Sequence, residues 1–120
     1  LGTNLMVLWL VGLTPLGRRL RMQQHAALHT RVAAHVHLEP LERDAFCAMV
    51  DHGLRAAGSN RKLLSDPALE LLVRHCKGVP RLASRVLRAS LRHAHELEKD
   101  FVDDIILQEA IDDMLDGVRP

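Results

Sequence analysis

One hundred and twenty residues, 48% of them apolar, suit one small globular domain. A formal charge of +1 excludes a protein whose bulk charge alone draws nucleic acid, so basic character has to be sought in local patches. One Trp, two Phe and no Tyr exclude a row of base-stacking platforms and call for an aliphatic core of the kind that packed helices make.

Residues 5–11 form a continuous apolar run that ends at Gly12. Such a run reads as a strand covered on both faces, as in the middle of a parallel sheet. A buried helix, or a segment packed on another chain, is the alternative. The apolar stretch 5–13 is shorter than the roughly 20 residues that a membrane-spanning helix needs. It also lacks the basic leader and cleavage pattern of a signal peptide, so no membrane segment and a cytoplasmic location are expected.

Thr14 is placed to cap the next segment, with Pro15 at the first helical position. Leu16 and Leu20 give a weak helical stripe, with Arg18, Arg19 and Arg21 on its polar side. Residues 25–33 continue as a second helical piece, and Arg31 lies near its end. Alternation over Ala34-His35-Val36-His37-Leu38 predicts a second strand. Two strands cannot cover each other's faces. Residues 1–38 are therefore expected to be the end of an α/β domain whose earlier strands lie upstream.

Glu39-Pro40-Leu41 marks the boundary, because Pro40 pushes Glu39 out of helical geometry. Beyond it the periodicity is helical throughout, so 39–120 is expected to be a second domain. The first helix runs over 42–57, with Phe46, Met49, Val50, Gly53, Leu54 and Ala57 on one face. Gly58 stops it. The second runs over 67–76, with Asp66 as its cap and Leu69, Leu72, Val73 and Cys76 as its stripe. The third runs over 80–97. A fourth starts near Asp103 or Asp104 and buries Leu107, Ala110, Ile111, Met114 and Leu115, with Phe101-Val102 plugging the core before it. The fold class expected is mainly α: a small four-helix bundle after a short α/β remnant.

The bundle turns on Lys77-Gly78-Val79-Pro80-Arg81. Gly78 suits a left-handed helix end, and Pro80 has its φ pre-set for the next helix. Arg81, Arg85, Arg88 and Arg92 are spaced 4, 3 and 4 apart, on one face. A solvated basic face accounts for Arg85, Arg88 and Arg92 as well as a weak DNA-binding role does. Arg81, a planar fork beside a tight turn, suits a phosphate.

Other chemistry finds little support. No phosphate loop of the Gly-x-x-x-x-Gly-Lys-Ser/Thr type occurs, so this chain is not expected to hydrolyse nucleotides alone. His25 with His29, and His35 with His37, lack a Cys or acid at ligand spacing, and no metal site is expected. Cys47 and Cys76 fall on apolar helix faces and read as buried free thiols. The acids of the last helix read as a solvated face.

A series of residues then fits one gapless frame: Leu10-Val11-Gly12-Leu13, Leu20-Arg21, His25, Ala27-Leu28, Arg31-Val32, His37-Leu38-x-Pro40-Leu41, Leu54-Arg55-x-Ala57-Gly58, Asp66-x-Ala68-x-x-Leu71 and Gly78-Val79-Pro80-Arg81. It resembles the C-terminal part of AAA+ ATPases of the secretion-ATPase ExeA and transposition-helper TniB/MuB type. The resemblance implies that 1–38 ends a nucleotide-binding core and that 39–120 is the helical lid. It implies that Arg81 is the sensor-2 arginine, with Gly78 and Pro80 forming its nucleotide-binding turn. Arg31 would be an arginine finger toward a neighbouring subunit. Sensor 1 would fall near Gly12, where Leu13 stands and Thr14 is the nearest polar group. Glu42 stands where the family often has Ser, Thr or Asp, which leaves the first lid helix less well capped. The complete protein would use ATP and magnesium, self-associate into a ring or filament, and bind DNA and a transposase; Arg18, Arg19 and Arg21 would join the α-helical arginines in that contact. A secretion-type ATPase is the alternative within the family, and a non-enzymatic helical interaction module is the alternative outside it.

Overall fold

A computed structural model describes Thr3 and residues 6–117. The chain divides into two units, Leu1–Leu38 and Glu39–Pro120. The protein is mainly helical. Among the described residues the helices are α1 (Thr14–Leu20), α2 (Ala26–His29), α3 (Arg43–Ala56), α4 (Asp66–Cys76), α5 (Pro80–Glu96) and α6 (Asp104–Asp116), with a 3-10 turn at Gln23–His25.

The N-terminal unit corrects both strand expectations. Residues 6–13 and 34–38 form no strand, and Leu5 lies outside the described residues. Val7, Trp9 and Val11 are each more than 80% exposed, and so are Val36 and Leu38. The reason is physical: a strand exists only as one member of a ladder, and a two-sided apolar strand needs cover above and below. Among the described residues of this unit nothing supplies either. Thr14 is also not the cap of α1. Leu13 takes that position in an extended conformation without a side-chain bond, and Thr14 lies inside the helix ahead of Pro15. The second helical piece is shorter than 25–33, ending at Thr30 and Arg31 with single-turn hydrogen bonds.

The C-terminal unit closes a core of its own. Phe46 and Val50 from α3, Ala68, Leu72 and Cys76 from α4, Ala83, Val86 and Ala94 from α5, and Ile106, Leu107 and Ile111 from α6 are all buried together. α6 packs on α5 and α4, and α3 packs on α4. The helix starts follow capping chemistry. The Ser65 side chain, not Asp66, caps α4 by accepting from the Ala68 N–H at 3.2 Å. Asp103 caps α6 by accepting from the Ile106 N–H at 2.8 Å. Glu42 precedes α3 without a side-chain cap bond. Two loops are stapled by an isolated parallel bridge, Leu64 to Val102, in which the Val102 N–H donates to the Leu63 carbonyl at 2.7 Å. That bridge buries Val102 but leaves Phe101 half exposed, so only one of the expected pair plugs the core. Cys76 is fully buried, whereas Cys47 is only half buried, against expectation.

Candidate anion-binding turn and arginine ridge

The turn between α4 and α5 is fixed from both sides. α4 ends on Lys77 in a left-handed conformation, φ 47° and ψ 40°, and Gly78 follows at φ 78°. The Val79 N–H then donates back to the Cys76 carbonyl at 2.9 Å. The Gly78 carbonyl accepts from the Leu41 N–H at 2.8 Å, which brings the entering chain against the turn. A Cβ on Gly78 would stand 2.2 Å from the Leu41 carbonyl oxygen and 2.9 Å from the Leu41 nitrogen. Glycine is therefore required twice, by its φ and by the contact. Val79 is extended, Pro80 opens α5, and Arg81 follows at the surface.

α5 is bimodal around its circumference. Ala83, Val86, Ser90 and Ala94 are buried, and the small residues among them let α6 approach closely. The Ser90 hydroxyl is satisfied inside the helix, donating to the Val86 carbonyl at 2.8 Å. On the outer side Arg81, Arg85, Arg88 and Arg92 are all exposed. Among the described residues none of the four side chains forms an ion pair or hydrogen bond. Of the other described Lys and Arg residues of the unit, Arg43 pairs with Glu70, Arg55 with Asp51, Arg61 with Asp100, Lys62 with Asp66 and Lys99 with Asp103, whereas Arg74 and Lys77, like the ridge, form no ion pair. α5 also has no acid in its first turn, so Arg81 stands uncompensated at the positive end of the helix dipole.

Other expected site residues lie in the N-terminal unit. Arg31 is exposed in the turn after α2, its N–H on the Leu28 carbonyl at 3.0 Å. Arg18 and Arg19 occupy the last turn of α1 and Arg21 ends it, all exposed. Thr14 is exposed and makes no cap bond. His29 and His35 have ring centroids 5.3 Å apart. Among the described residues, no three His, Cys, Asp or Glu side chains are grouped to hold a metal ion. No described helix is long and apolar enough to cross a membrane.

Two features were not visible in the sequence. His93 Nε2 lies 2.9 Å from Glu109, linking α5 to α6, and Arg43 forms a bidentate pair with Glu70 between α3 and α4. That hydrogen bond holds the Glu70 carboxyl below its usual range. Their partners are 16 and 27 residues apart, so no local spacing announces them. Burial pushes the Cys76 thiol up to about 11, which removes it as a nucleophile at neutral pH. Two open grooves occur in this unit, one of about 600 Å³ beside Pro67, Leu71, Ile105 and Gln108, the other of about 700 Å³ beside Cys47, Leu54 and Leu63. Neither includes residues 78–92. Arg81 thus stands at an open surface outside both grooves. No family model, curated protein or solved structure matches the chain.

Proposed function

We propose that the C-terminal unit is the helical lid of an AAA+ ATPase of the ExeA and TniB/MuB type, and that the complete protein is a DNA-associated transposition helper. The observation that carries this reading is the turn at Gly78: its backbone is locked against Leu41, and it launches α5 with an unpaired, exposed Arg81. A guanidinium on so fixed a stem meets a phosphoryl oxygen with little reorganisation. Lys77 at the same turn adds a second exposed cation. These two residues fit the phosphates of ATP, which supplies the transferable γ-phosphoryl group. The acids that would hold magnesium have no counterpart among the described residues.

In this reading Arg81 binds and orients the terminal phosphate and so couples the lid to the nucleotide state. Arg31 serves a neighbouring subunit as a finger, which requires assembly into a ring or filament.

The test is made in a longer product that includes the coding sequence upstream. A phosphate loop there, and a loss of ATP turnover of about 100-fold or more in Arg81→Ala, are the expected results. Unchanged turnover in that variant removes the sensor-2 role, and an upstream region without a phosphate loop removes the ATPase.

A further inference from the structure

We infer that the N-terminal unit docks on the surface of an anionic lipid bilayer. Residues 6–13 lie in the boundary between headgroups and acyl chains, and Arg18, Arg19 and Arg21 meet the lipid phosphates. The inference goes beyond the proposed function and uses neither Arg31 nor Arg81.

Three observations carry it. First, residues 6–13 are all exposed, with Trp9 at 81% and Val11 at 86%. A contiguous exposed apolar patch of this kind marks a contact site. Second, the patch continues onto α1. Gly12 lies so close to Leu16 that a Cβ on it would stand 2.8 Å from Leu16 Cδ2, which seats the end of the run on the helix. Leu13, Leu16 and Leu20 recur at helical spacing along one side. At about 100° per residue, Arg18 falls opposite that stripe, and Arg19 and Arg21 fall on its two flanks. Third, residues 1–38 contain four Arg and no Asp or Glu, so every acid of the chain lies after Leu38. Arg18, Arg19 and Arg21 are exposed and form no ion pair among the described residues.

An anionic bilayer satisfies both halves of this surface. The apolar run leaves water for the interface, where a Trp ring sits at headgroup level. The flanking arginines reach past the apolar stripe to the phosphates, and no carboxylate of the unit opposes them. A nucleic acid would satisfy the arginines but leave Trp9 and its neighbours in water. A second copy would cover the run but set like charges side by side. The depth is limited by the backbone. Residues 6–13 form no helix or strand, so their amides need water or headgroup oxygens, which places the run at the interface and not in the hydrocarbon core.

Trp9 is the chain's one tryptophan, so its emission reports on the run directly. The experiment titrates the whole chain, at low salt and without nucleotide, with phosphatidylcholine vesicles that contain or lack about one third phosphatidylglycerol. With the anionic vesicles, Trp9 emission is expected to move to shorter wavelength and to be quenched by lipids brominated near the headgroup end of the acyl chain. Partition onto neutral vesicles, or in high salt, is expected to be weaker by about tenfold or more. Arg18→Gln with Arg19→Gln is expected to lower partition about tenfold, and Arg18→Lys with Arg19→Lys to keep it. Leu8→Asn with Leu10→Asn, which leaves Trp9 in place, is expected to lower it about tenfold as well. Arg55→Gln, in the other unit, is expected to change nothing. The inference is overturned by Trp9 emission that anionic vesicles leave unshifted, by equal partition onto both kinds of vesicle, or by a glutamine pair that partitions like the parent. Emission already at short wavelength before lipid is added would overturn it in favour of a run covered by protein. A shift produced by duplex DNA and not by vesicles would overturn it in favour of nucleic acid. Arg81 and the C-terminal unit's turn stay intact in the lipid-contact variants. Failure here therefore leaves the sensor-2 role standing, and failure of that role leaves the lipid contact.

Discussion

The two units answer the same problem, burial of apolar side chains, with opposite success. In the C-terminal unit each helix carries a stripe one face wide, and four such stripes meet in a core that includes Phe46, Leu72, Val86 and Ile106 at 1% exposure or less. In the N-terminal unit the apolar residues are consecutive, and Met6, Val7, Leu8 and Trp9 are all at least 70% exposed. An amphipathic helix needs one partner on one side, whereas an apolar strand needs hydrogen-bonded neighbours at both edges and cover on both faces. Helical stripes can therefore satisfy one another within 80 residues or so, and a strand run cannot.

The contrast is broken most forcefully by truncating one side chain in each unit. Phe46→Ala is expected to cost about 3–5 kcal/mol of unfolding free energy, and Leu72→Ala about 2–5 kcal/mol, in denaturant titrations followed by helical circular dichroism. Trp9→Ala should leave the same transition where it was. A transition that moves equally for Trp9 and Phe46 would mean that both units share one cooperative core.

Glycines sharpen it further. Gly78→Ala puts a Cβ against the Leu41 carbonyl at positive φ and is expected to lose about 1–3 kcal/mol, read in the same titration. Gly17 lies inside α1, and a Cβ there would meet nothing within 4 Å. Gly17→Ala should instead raise the helicity of the N-terminal unit, by about 0.5–1 kcal/mol of local preference.

The smallest expected effect is at a cap and is pH-dependent. The Ile106 N–H bond, with Lys99 close by, holds the Asp103 carboxyl below its ordinary value. A folded-state value below the unfolded one means that the carboxylate stabilises the fold above the unfolded value of about 4. That contribution fades as pH falls through the lower, folded value. Asp103→Ala is expected to cost about 1 kcal/mol at pH 7. Its deficit should shrink toward zero in acid, and Asp103→Asn should keep most of the cap while removing its pH dependence. A deficit that grows in acid would reverse the assignment.

How much of this was legible in the sequence follows from the range of the interactions. α3 was expected over 42–57 and spans Arg43–Ala56; α5 was expected over 80–97 and spans Pro80–Glu96. Stripe, cap and stop residues are local, so helices can be read one at a time. α4 starts a residue early because Ser65 and Asp66 are both good caps, and only the geometry at Ala68 chooses between them. The arginine row was legible as a face from its 4-3-4 spacing. Its lack of partners was not, because pairing depends on where the acids of other helices come to lie. Strands at 6–11 and 34–38 were misread for the same reason: their existence depends on segments that local pattern cannot supply.

The hydrogen bond from Leu41 to Gly78 has a mechanical consequence. The polypeptide enters the helical unit already latched to the bend that launches α5. Tension on residues 39–41 is therefore delivered first to that bend, three residues ahead of Arg81. A label on that entering segment would then report strain at the bend without any movement of the packed interior.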